Sequence, residues 1–131
     1  MQLVYSLKQG NANQGASGGP ALAAAVKQAL SQCPSTKVIV SGYSQGAMAV
    51  HNAFSGQGLM ASEVAGVVLF GDPLIRQTNI GNLPKDKIKQ FCGSSDSICR
   101  SPTGDVAGGH TSYGSIADTA AQFAISAAGL T

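Results

Sequence analysis

The sequence predicts a three-layer α/β/α sandwich built on a central parallel sheet. The stretches "KVIVSG" and "VAGVVLFGD" are apolar along their whole length, as strands covered on both faces are. They alternate with segments of helical spacing, the order that gives a sheet with helices on either side. The chain has 131 residues, 44% hydrophobic and 11% charged, enough for one core and too few for two. Residues 1–131 therefore read as a single domain.

The elements follow in order. "QLVYS" is a short strand, and the Gly/Asn-rich "GNANQGASGGP" after it is a loop. "PALAAAVKQALSQ" is rich in Ala, Leu, Lys and Gln with Pro34 just past its end, which marks a helix and its stop. "KVIVSG" is a strand, "QGAMAVHNAF" a helix, "VAGVVLFGD" a strand and "KIKQFC" a shorter one. Residues Ser112 to Ala128 form a closing helix. No internal repeat or linker interrupts this order.

Composition excludes several partners. The net charge is +2 and the eight basic residues are spread from Lys8 to Arg100, with 5% aromatics, so no clustered basic face is available for nucleic acid. No apolar run approaches the roughly 20 residues of a membrane span. The opening "MQLVYSLKQG" carries no signal-peptide pattern. Cys92 and Cys99 in "FCGSSDSICR" are spaced wider than a zinc knuckle and lack a nearby Cys/His pair. A short disulfide loop in an oxidising, extracellular compartment is the preferred reading, with two reduced thiols as the alternative. Cys33 is then left over.

Chemistry concentrates at "VIVSGYSQGAMAV", which changes at Ser44 from a buried strand to a helix. Gly42-Tyr43-Ser44-Gln45-Gly46 is GxSxG, a tight strand-to-helix turn that holds a nucleophilic serine in a strained conformation. The helix starting at Gln45 directs free N–H groups and its positive end at that serine, favouring negative charge there. Serine needs a base within hydrogen-bond reach. His51, seven residues along the helix, is displaced about 10 Å along its axis and reads as an ordinary helix-surface residue. His110, in the loop "AGGHTSYGS", is the better base. Asp72, Asp86, Asp96 and Asp105 all qualify as the orienting acid by chain order. Asp96 is favoured because a Cys92–Cys99 loop would restrain it. Asp72, before Pro73, is the runner-up and otherwise a turn residue; Asp105 has the same turn reading, and Asp86 reads as a surface charge. The glycine-rich loop has neither a GK[ST] ending nor GxGxxG spacing, so nucleotide binding is a weak alternative.

"CPSTKVIVSGYSQGAMAV", "VVLFGDPL", "FCGSSDSIC" and "GGHTSYG", in this order and spacing, resemble the cutinase family of serine esterases, which includes acetylxylan esterases. The resemblance covers the chain from about Leu3 to its C-terminus. It implies an α/β-hydrolase fold, Ser44 as nucleophile, Asp96 as acid, His110 as base, the backbone N–H of Gln45 in the oxyanion hole, and a Cys92–Cys99 disulfide. The implied reaction is ester hydrolysis through an acyl-enzyme, without cofactor or metal, by a secreted monomer acting on cutin, short-chain esters or acetylated xylan. Family members also carry an earlier strand and loop with a second oxyanion donor, and a cysteine matching Cys33. The expectation is therefore an N-terminally truncated chain whose sheet, of order 2-1-3-4-5 in the family, lacks the strand between "QLVYS" and "KVIVS" and leaves an unfilled position there with two inner edges unpaired. A catalytically inactive fragment is the competing reading. The flanking loops "GNANQGASGG" and "RSPTGDVAGG" offer only Val106 as a sizeable aliphatic residue, which predicts a preference for short acyl groups. Ile80 and Leu83 are the alternative acyl slot.

Overall fold

The computed structural model describes residues 2–7 (backbone alone), 18–77, 79–100 and 106–130. Four parallel strands form one sheet in the order β1 (Gln2–Leu7), β2 (Lys37–Tyr43), β3 (Gly66–Phe70) and β4 (Ile88–Phe91). The connecting helices are α1 (Gly18–Gln32) and α2 (Gln45–Gly56), with α3 (Ala117–Ala127) closing the chain. Short 3-10 turns lie at Ala61–Glu63, Lys85–Lys87 and Tyr113–Ile116. The predicted closing helix thus begins as a 3-10 turn. Most of "GNANQGASGGP", and Ser101 to Asp105, lie outside the described residues.

Alternation along the strands builds two cores. Val38 and Val40 of β2 and Val67 and Leu69 of β3 point to one face, where they pack with Leu22 and Val26 of α1 and Val50 and Ala53 of α2. Ile39 and Val68 point to the other, against Phe91, Tyr113 and Ala120, as the two-residue period of a strand requires. Each aliphatic side chain taken fully out of water contributes about 1.5–3 kcal/mol. Among the described residues, the first face carries two helices and the second α3. An apolar groove of about 300 Å³, lined by Ile39, Val68, Phe70, Ala120, Ala124 and Ile125 among others, runs along that second face.

Three expectations need correction. The unfilled position between the first two strands is absent: β1 lies directly beside β2, from Gln2 opposite Lys37 to Leu7 opposite Gly42. Parallel backbones satisfy each other's N–H and C=O groups whatever their side chains, so the two edges close on one another. Ile80 and Leu83 are 4% and 8% exposed and belong to the core with Phe54 and Leu59, so little of their surface is left for an acyl chain. His51, read as a helix-surface residue, is 4% exposed. Helix α2 is covered on more than one side, and seven of its twelve residues are buried.

Candidate active site

Ser44 sits between the last residue of β2 and the first of α2. Its backbone has φ 59° and ψ −119°, outside the common regions for a residue with a side chain. The surroundings hold it there: its N–H donates to the Phe70 carbonyl at 3.0 Å and its carbonyl accepts from Ala47 at 3.0 Å. Gly42 makes the tight turn possible, since a Cβ there would come within 2.8 Å of the Ala47 backbone. Gln45 opens α2 and sets its N–H at the positive end of the helix.

A continuous chain of hydrogen bonds begins at that serine. Ser44 Oγ is 2.8 Å from His110 Nε2, and His110 Nδ1 is 2.9 Å from Asp96 Oδ2. The His110 side chain is 26% exposed while that of Asp96 is fully buried. Asp96 is held by its own loop: its Oδ1 accepts from the Ile98 N–H at 2.8 Å, and its N–H donates to the Gly93 carbonyl. Bonds from Ser94 to Val106 and from Ser95 to Gly108 stitch this loop to the one that carries His110. The Cys92–Cys99 disulfide closes the Asp96 loop.

Two tyrosines complete the geometry, and sequence reasoning had passed over both. Tyr113 donates to Asp96 Oδ2 at 2.6 Å and accepts from the Gly93 N–H at 2.8 Å. Tyr43 stacks on the His110 ring, with centroids 5.1 Å apart, and donates to the His110 carbonyl at 2.6 Å. The available signal was placement, because each is an aromatic inside a motif of small residues, "GYSQG" and "GGHTSYG". Burial pushes the Asp96 carboxyl up, but bonds from Tyr113, His110 and the Ile98 N–H outweigh it and hold the group below its ordinary value. Burial, then the bond to Asp96, raises the Tyr113 hydroxyl.

The other candidates lie elsewhere. Asp72 is fully buried and faces His51 at 2.6 Å. Asp86 is exposed in the turn before β4, and Asp105 is outside the described residues. Among the described residues, Cys33 is in no disulfide, and no group of three His, Cys, Asp or Glu gathers to hold a metal.

A parallel sheet with a strained serine at a strand–helix junction and a His–Asp pair beside it defines the α/β-hydrolase class. The cutinase family model matches residues 2–128, and the chain belongs to that family. It is 51% identical over 123 residues to cutinase 4 of Emericella nidulans, covering 92% of this chain and 51% of that protein. Among solved structures, Trichoderma reesei cutinase in complex with a C11Y4 phosphonate inhibitor superposes with a TM-score of 0.71 at 36% identity, over 86% of this chain and 51% of that one. The catalytic core domain of acetyl xylan esterase from Trichoderma reesei gives a TM-score of 0.63 at 25% identity, over 85% and 69%. The chain thus spans about half the length of the two cutinases.

Proposed function

We propose that this protein hydrolyses carboxylic esters, with Ser44 as nucleophile, His110 as base and Asp96 as the orienting acid. The observation that carries the reading is the unbroken chain Ser44 Oγ, His110 Nε2, His110 Nδ1, Asp96 Oδ2, with links of 2.8 and 2.9 Å. Ser44 Oγ attacks the ester carbonyl while His110 Nε2 takes its proton. The buried carboxylate of Asp96 keeps the ring proton on Nδ1 and stabilises the imidazolium that forms. The developing oxyanion meets the Gln45 N–H at the start of α2, a fixed donor that needs no rearrangement. His110 then returns the proton to the departing alcohol, and the acyl group stays on Ser44. Water, deprotonated by His110, attacks this acyl-enzyme and releases the acid and free Ser44.

A phosphonate inhibitor in the cutinase relative's complex supports a tetrahedral centre as the species such a site favours. Cutin or short-chain esters are the preferred substrates. Acetylated xylan is the second reading, supported by the likeness to the acetyl xylan esterase core. The flanking loops lie largely outside the described residues, and with Ile80 and Leu83 in the core the short-acyl preference rests on the loops' small, polar sequence. The buried disulfide supports secretion; residues 1–131 are taken as a single domain and a monomer.

The test is covalent labelling with a fluorophosphonate, followed by kcat/KM across p-nitrophenyl acetate to octanoate and acetate release from acetylated xylan. Labelling is expected on Ser44, absent in Ser44→Ala, with rates highest from acetate to butyrate. Labelling that survives Ser44→Ala overturns the nucleophile. No labelling of the wild-type chain favours an inactive fragment, and a rise through octanoate favours long-chain substrates.

A further inference from the structure

A second histidine–carboxylate pair lies outside the Ser44–His110–Asp96 chain. His51 Nε2 is 2.6 Å from Asp72 Oδ2, with the two side chains 4% and 0% exposed. The same Oδ2 accepts from Gln90 Nε2 at 2.9 Å, and Oδ1 accepts from the Leu74 N–H at 2.8 Å. His51 Nδ1 is buried without a partner among the described residues, so in the neutral ring the proton sits on Nε2, facing Asp72. One carboxylate therefore joins α2 through His51, β4 through Gln90, and the turn that follows β3.

The position of this knot gives it a consequence for the reacting groups. Asp72 directly follows Gly71, which has φ +59° and forms the wall behind the His110–Asp96 bond. A Cβ on Gly71 would lie 2.8 Å from His110 Nδ1 and 3.0 Å from Asp96 Oδ2. The Gly71 N–H is bonded to the Phe91 carbonyl, and the adjacent Phe70 carbonyl accepts the Ser44 N–H. The end of β3 thus abuts the nucleophile on one side and the base and acid on the other. His51 lies seven residues, close to two full turns, after Ser44, so its bond to Asp72 also sets how α2 sits against that strand end.

We infer that Asp72, held by His51 and Gln90, is a positioning residue that sets the Ser44–His110 separation through Gly71. The inference rests on the esterase reading for its rate effect, and its geometry is testable without turnover. Asp72→Asn replaces a carboxylate that accepts from three N–H donors with a group that has one acceptor oxygen. His51→Ala removes one donor, while His51→Gln restores an N–H at the Nε2 position. In the full chain, kcat per phosphonate-titrated site is expected to fall roughly tenfold to hundredfold in Asp72→Asn and His51→Ala, the scale of a misplacement near 1 Å, with KM within about twofold. His51→Gln should recover most of the loss, and the double variant should be no worse than Asp72→Asn, since both act through one contact. The NMR signal of the His110 Nδ1 proton should broaden in the first two variants and stay sharp in His51→Gln. Titrated sites that turn over at the wild-type rate, with an unchanged His110 signal, overturn the inference and leave the pair a role in stability alone. If the wild-type chain takes no phosphonate, the esterase reading fails and the His110 signal still decides on positioning.

Discussion

Tyr113 lies within one hydrogen bond of both Asp96 and the backbone of its loop, and its removal should be felt at both. Tyr113→Phe deletes a bond to a buried carboxylate and leaves the Gly93 N–H unpaired, together about 1.5–3 kcal/mol. The pH dependence has two signs. The Tyr113 hydroxyl is raised in the folded chain, so its contribution is whole below its unfolded value near ~10 and is lost as pH climbs from there toward the folded value. The Asp96 carboxyl is lowered, so its contribution is present above about pH 4 and is lost as pH falls through the folded value. Urea melts of wild type and Tyr113→Phe at neutral, alkaline and acid pH check both limbs. Tyr113→Phe should flatten the alkaline limb, and equal steepness in the two proteins would count against this account. At this scale the sequence was informative where a motif sets the backbone, as at Ser44 and Gly42. It misled at His51, because helical spacing gives distance along an axis and says nothing of what packs against each side.

At the scale of elements, the loop from Cys92 to Cys99 carries Asp96 and is fastened at its ends by a disulfide. Closing so short a loop restrains the unfolded chain by roughly 2–3 kcal/mol in the chain-entropy account. Cys92→Ala/Cys99→Ala should lower stability by about that amount. It should also reduce kcat more than it raises KM, because the carboxylate bonded to His110 becomes less fixed. A variant with lowered Tm and unchanged kcat per labelled site would separate the two effects and refute the second. The helices, strands and their order were legible from apolar runs and the Pro34 stop. Less legible was the start of the closing helix, where Ser112, Tyr113 and Gly114 compete for a tighter turn before Ala117.

Across the whole molecule, the layers are unequal. The groove along the α3 side of the sheet, about 300 Å³, is lined chiefly by aliphatic, alanine and aromatic groups, and exposed apolar surface of this kind attracts hydrophobic partners. The 131-residue chain should therefore bind a hydrophobic dye while folded. Ala121→Glu and Ile125→Glu, at the groove's rim, should each reduce that binding at least twofold. Dye binding that persists in both variants would locate the surface elsewhere. The sandwich itself was legible because strands apolar throughout require cover on both faces. The direct pairing of β1 with β2 was not, since a parallel strand's neighbour is chosen by backbone hydrogen bonds whose register leaves little trace in the letters.

The stacking of Tyr43 on His110 also gives the protein an optical handle. The chain contains no tryptophan, so its ultraviolet emission comes from three tyrosines, of which Tyr113 is bonded to a carboxylate that quenches it. Tyr43, with its ring 5.1 Å from the imidazole, should dim as His110 takes up a proton, because an imidazolium accepts excited-state electron density more readily than the neutral ring. Subtracting the spectrum of Tyr43→Phe isolates this signal. The difference emission, followed during ester turnover, should then track proton transfer to His110 in real time without a label. A difference spectrum that does not change during ester turnover would show that the stacked pair does not report it.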